Sequence, residues 1–171
     1  MPVAMHSLGK MYNEGEGVGV DHAAAFKWFR SAVQAPADMS YPSEKAAFNL
    51  AAYEIAGMYE KGLGVEADLT KALMWHFIHA SNTDSEILKE DSEKAIKRLA
   101  TQVKSGQASE AGKLANACVD SGYADCAFPD TPPAITSVQS KVGEQVLEGP
   151  IIDISGKSLT RNSCMSGQAA C

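Results

Sequence analysis

Ile55 to Trp75 reads IAGMYEKGLGVEADLTKALMW, and Leu8 to Trp28, 47 residues earlier, reads LGKMYNEGEGVGVDHAAAFKW. Eight of 21 aligned positions are identical: Met11/Met58, Tyr12/Tyr59, Gly15/Gly62, Gly17/Gly64, Val18/Val65, Asp21/Asp68, Ala25/Ala72 and Trp28/Trp75. Chance would give roughly one or two, so the chain carries a repeat with a period of a few tens of residues. Units of this kind bury their apolar faces only by stacking on one another.

Each copy predicts a helix pair. Ala4, Leu8, Met11 and Tyr12 recur at helical spacing. Gly15 and Gly17 then stop the helix, because glycine accepts the left-handed conformation that closes a helix C-terminus. Asp21 supplies a carboxylate that can accept the free N–H groups of a new first turn. The second helix is expected from about Asp21 to Gln34, with Ala25, Trp28, Phe29 and Ala32 on one face and Pro36 as its end. A linker, PADMSYP (36–42), leads to a helix capped by Ser43. Its stripe is Ala47, Leu50, Ala51, Glu54, Ile55, Met58 and Tyr59, with Glu54 the polar exception. Gly62, Gly64 and Asp68 repeat the stop and the cap, and Leu69 to Ala80 repeats the second helix.

Beyond the repeats, Thr83 to Glu86 has capping-box spacing. A helix is expected over Glu86 to Lys104, with Ile87, Leu88, Ala95, Ile96, Leu99 and Val103 inward. A shorter one comes next over Gln107 to Asp120, with Ala111, Leu114, Ala115 and Cys118 inward. From about Phe128 the composition changes. The proline-rich PDTPPAITS suits neither a helix nor a core strand. Val142 to Leu147 and Ile151 to Ile154 are short β-prone runs that could pair as a weak hairpin. The expectation for 127–171 is a largely irregular, disordered tail. The fold class is all-α, with residues 1–126 as one helical solenoid.

The net charge of −6 and pI near 5.2 argue against a nucleic-acid partner, whose usual footprint is a basic patch. No apolar run reaches the ~18 residues of a membrane helix. MPVAMHSLGK lacks the charged start and apolar core of a signal peptide. If the chain is a piece of a longer protein whose leader is missing, a periplasmic or secreted location is favoured.

Leu-Gly-x-x-Tyr-x-x-Gly-x-Gly-Val-x-x-Asp followed by Ala-x-x-Trp resembles the Sel1-like repeat. Leu8, Gly9, Tyr12, Gly15, Gly17, Val18, Asp21, Ala25 and Trp28 carry it in the first copy. Tyr59, Gly62, Gly64, Val65, Asp68, Lys71, Ala72 and Trp75 carry it in the second, where Ile55 and Ala56 replace Leu-Gly. The segment Ala95 to Ala117 looks like the closing helices that come after such repeats. The resemblance implies tetratricopeptide-like helix pairs and an adaptor that holds a protein or peptide partner. It also implies that the first helix of each pair lines a concave groove. Alignment then places His6, Lys10 and Asn13 in that groove from the first repeat, and Tyr53, Gly57 and Glu60 from the second. Tyr53 is the expected anchor, with packing against the 36–42 linker as its alternative. The tyrosines and tryptophans of the repeat pattern are read as core.

Four cysteines, Cys118, Cys126, Cys164 and Cys171, allow three pairings and form no Cys-x-x-Cys. The Cys118 to Cys126 spacing is similar to that of cysteine-rich Sel1-like proteins, which implies a disulfide tying a helix end to the chain just beyond it. Some of those relatives bind or hydrolyse β-lactams, which is the alternative function. No nucleophile–base pair is legible here, so the chain is read as a non-enzyme without a cofactor. Ser7-x-x-Lys10 and Gly156-Lys157-Ser158 mimic catalytic and phosphate-binding motifs but lack their partners. His76 and His79, three apart, have nothing spaced to complete a metal site and read as surface or groove histidines.

Overall fold

The computed structural model describes residues 1–124, 126, 128, 151–152 and 158–159. Among the described residues six helices run in order: α1 (Pro2–Glu14), α2 (His22–Gln34), α3 (Pro42–Lys61), α4 (Leu69–Asn82), α5 (Glu86–Ala100) and α6 (Gln107–Asp120). By contacts the chain forms two units, Met1–Thr136 and Ser137–Cys171. In the first unit α1 packs on α2, α3 on α4, and α3 on both α1 and α2, while α4 carries α5 and α6. This consecutive stacking is that of an all-α solenoid. In the second unit Ile151–Ile152 pairs antiparallel with Ser158–Leu159. The 142–147 run expected as a hairpin strand lies outside the described residues.

The repeated turn chemistry works as its residues dictate. Gly15 and Gly62 close α1 and α3 in the left-handed conformation, at φ 77° and 68°. Asp21 accepts the Ala24 N–H at 2.9 Å, and Asp68 accepts those of Thr70 and Lys71. Two other caps differ from expectation. Tyr41, with Pro42 at the first helical position, starts α3 in place of Ser43. Ser85 caps α5, while Thr83 ends α4 and holds the Ser85 N–H, so the capping box from Thr83 does not form.

The core is largest where an element has neighbours on both sides. Trp75, Tyr59 and Met58 are fully buried, whereas Trp28, Tyr12 and Met11 at the equivalent places are partly exposed. Only the second copy is sandwiched, between the first pair and α5–α6. The expected stripes shift accordingly. In α1 the buried residues are Pro2 and Gly9, with Ala4 exposed; a Cβ on Gly9 would meet the Phe29 ring. In α2 Phe26 and Val33 are buried. In α3 Phe48 and Ala52 are buried, while Leu50 is exposed. In α5 Ser92, Ala95 and Leu99 face inward and Ile87 is 75% exposed.

Candidate functional site: a groove between α3 and α5

α3, the first helix of the second repeat, and α5 enclose a groove of about 410 Å³. One wall is Tyr53, Glu54, Gly57, Glu60 and Lys61 of α3. The other is Asp91, Lys94, Ala95 and Arg98 of α5, and His76 of α4 lies at its base. Helical spacing brings Tyr53, Gly57 and Glu60 to one face, since residues three and four apart are neighbours. Gly57 leaves open space, as an added Cβ would meet nothing within 4 Å.

The three α1 residues assigned to the groove do not line this cavity. His6 packs its ring 5.7 Å from Phe29 and is half-buried, which lowers its basicity, with Lys10 adding to the effect. Lys10 pairs with Glu14 at 3.5 Å. Asn13 Oδ1 lies 2.9 Å from His22 Nδ1. Lys10 still reaches the site electrically. The Glu54 carboxyl is pushed up by burial and by Glu14, and pulled back by Lys10 and Lys61.

Charge across the groove is balanced by pairs. Arg98 donates to Glu60 at 2.9 Å, joining the two walls and lowering the Glu60 carboxyl. Lys94 pairs with Glu90 at 2.9 Å and lies 3.9 Å from Asp91. The α5 wall had no signal in the repeat alignment, which ends near Ala80.

Beneath Tyr53 the structure corrects the surface half of the reading of the histidines. His76 lines the groove, and both His76 and His79 are buried, 4% and 0% exposed. Both present Nδ1 to one hydroxyl: Ser92 Oγ lies 2.8 Å from His79 and 3.3 Å from His76. A hydroxyl has one proton, so the shorter contact suits Ser92 donating to His79 and the longer suits His76 donating to Ser92. Desolvation holds His76 down at about 4 and lowers His79 as well, so both are neutral near pH 7. The Tyr53 ring rests on this pair, 6.0 Å from His76 and 5.2 Å from His79. These are its ring contacts among the described residues, and none is to the 36–42 linker. Ser92 is 0% exposed, so its hydroxyl is not presented to the groove. Among the described residues no cluster of three or more His, Cys, Asp or Glu could hold a metal.

Cys118 and Cys126 form a disulfide. Cys164 and Cys171 lie outside the described residues.

A stack of short helix pairs with a polar groove along its first helices defines an α-solenoid of the repeat-protein class. The Sel1 repeat model matches residues 2–35 and 45–77, so the chain carries two Sel1-like repeats. Repeats of this family generally mediate protein–protein interaction and act as non-catalytic scaffolds. No curated protein and no solved structure matches the chain. No helix among the described residues is long and apolar enough to cross a membrane.

Proposed function

We propose that the protein is an adaptor, without enzymatic activity, whose groove between α3 and α5 holds an extended segment of a partner protein. The module, expected over residues 1–126, reaches at least to Phe128, which packs on Trp75 and Phe26. The observation that carries this reading is the notch at Gly57, flanked by the Tyr53 ring and the Glu60–Arg98 pair. A side-chain-free step lets a bound backbone approach closely. Tyrosine and arginine are the residue types enriched among energetic hot spots. The alternating acids and bases suit a segment of mixed polarity, not a polyanion.

Gly57→Leu tests the groove without removing any packed atom. The new side chain enters open space, and helix propensity alone favours leucine over glycine by roughly 0.5–1 kcal/mol. Partners captured by the parent protein and identified by mass spectrometry are titrated against both forms. Binding weakened by at least ~1 kcal/mol with an unchanged or higher melting temperature supports the groove. Equal affinity rejects it.

A further inference from the structure

The chain leaving α6 turns back over the repeats. Gly122 and Tyr123 both have positive φ, 63° and 67°. For tyrosine this is an unfavourable conformation that persists only where surroundings impose it. Here the Tyr123 ring lies 4.4 Å from that of Phe48, and its hydroxyl accepts Asn82 Nδ2 at 3.0 Å. Gln34 Nε2 donates to the Ala124 carbonyl at 3.4 Å. Phe128 then reaches the Trp75 ring at 5.3 Å and the Phe26 ring at 6.2 Å, with the Arg30 guanidinium 4.9 Å from its centroid. Tyr123, Ala124 and Phe128 thus bridge α2 and α4, the second helices of the two repeats. They do so away from the groove, whose lining they do not join.

We propose that this returning segment is a disulfide-latched strap that closes an aromatic cleft over Phe26 and Trp75, and that reduction of Cys118–Cys126 opens the cleft. Oxidised, the bond ties the strap to α6 eight residues back. Reduced, the strap depends on its aromatic contacts, the hydrogen bonds from Asn82 and Gln34 and that of the Tyr123 N–H to the Cys118 carbonyl, against the left-handed Tyr123 and the entropy of a freed chain. Release uncovers Trp75, whose Nε1–H is buried and has no hydrogen-bond partner among the described residues. The chemistry is thiol–disulfide exchange with a dithiol. Its thiolate attacks one cystine sulfur, forming a mixed disulfide and expelling the other as a thiolate. Its second thiol then resolves the mixed disulfide. Two electrons pass from the dithiol, which becomes a disulfide, and both cysteines end as thiols. Both cysteines are buried, so the strap must lift before attack. The Phe128 contact therefore sets how fast the latch is reduced.

The test uses the full chain and dithiothreitol, with alkylation and peptide mapping of Cys118 and Cys126. Phe128→Ala is expected to speed reduction by about tenfold or more. After reduction, Trp75 emission in a Trp28→Phe background should shift to the red. Chymotrypsin should then cut after Tyr123, which Ala124 follows, with the far-ultraviolet circular dichroism unchanged. If Trp28→Phe alters the helical spectrum, the cleavage of the otherwise unmodified chain decides. Equal reduction rates in parent and Phe128→Ala overturn the proposal. So does unchanged cleavage once both thiols are trapped, and so does loss of the helical spectrum on reduction.

Discussion

Gly64 in the turn of the second repeat lies directly against the backbone of His22, the first residue of α2 in the first repeat. A Cβ built on Gly64 would overlap the His22 carbonyl and crowd the Ala23 nitrogen. This contact is where one repeat seats on the other. The equivalent Gly17 has nothing nearer than the Met11 methyl at 3.9 Å. Both residues have left-handed φ, 69° and 75°. Gly17→Ala should therefore cost only the backbone term, about 1 kcal/mol. Gly64→Ala adds overlap with immovable backbone and should cost about 2–4 kcal/mol. Urea melts of the two variants check the difference, and equal losses would contradict the seating contact.

Ser92 holds two imidazoles at once, and removing its hydroxyl leaves Nδ1 of both buried histidines without that partner. Ser92→Ala should destabilise by about 1–3 kcal/mol. Ser92→Thr retains the hydroxyl and should recover part of that loss. Thermal denaturation of the three proteins in one buffer is sufficient. A stable Ser92→Ala would show that the hydroxyl does not satisfy the pair.

Stability should fall on acidification. His76 is held at about 4, below its ordinary 6.5, so the unfolded chain binds its proton first. The stability tied to neutral His76 is complete above about pH 6.5 and is lost as pH falls toward about 4, on the order of 3 kcal/mol by linkage. His79 and Glu60 act in the same direction, since one is lowered by burial and the other by the Arg98 hydrogen bond. Glu54, raised by burial, opposes them, because protonating it relieves a desolvated charge. Denaturant titrations between about pH 7.5 and 4 should show this slope, and His76→Gln should flatten it.

The two tryptophans of the repeat pattern should differ sharply. Trp75→Ala empties a fully enclosed site and should cost about 3–5 kcal/mol. Trp28 is partly exposed, and Trp28→Ala should cost about 1–2 kcal/mol by the area it removes from water. Melting temperatures of the two single variants give the comparison, and similar losses would mean that Trp28 is also enclosed.

Much of this molecule is written locally. The glycines that end α1 and α3, the aspartates that begin α2 and α4, and the spacing between them are instructions that neighbouring residues carry out without distant help. Hence the helix-pair repeat and its boundaries are legible in the chain. Helical spacing also puts Tyr53, Gly57 and Glu60 on one face, while the idea that this face lines a groove comes from the resemblance and not from the spacing. The residues opposite that trio are not legible. Asp91, Lys94 and Arg98 lie some 30 to 40 positions downstream on a helix outside the repeat pattern, and the packing of both α3 and α5 on α4 brings α5 across from α3.

Burial is likewise a property of the assembly. The Met, Tyr and Trp of the motif become core in the second copy and stay partly exposed in the first, because only the second has neighbours on both sides. His76 and His79, three residues apart, look like a surface or groove pair in the sequence. They are enclosed because α5 delivers Ser92 to them, a hydroxyl that no local pattern could announce. The Sel1-like architecture was thus determined by short-range capping and periodicity. The groove, the buried imidazoles and the Phe128 contact on Trp75 were decided by long-range packing, which brings together residues that the chain itself keeps apart.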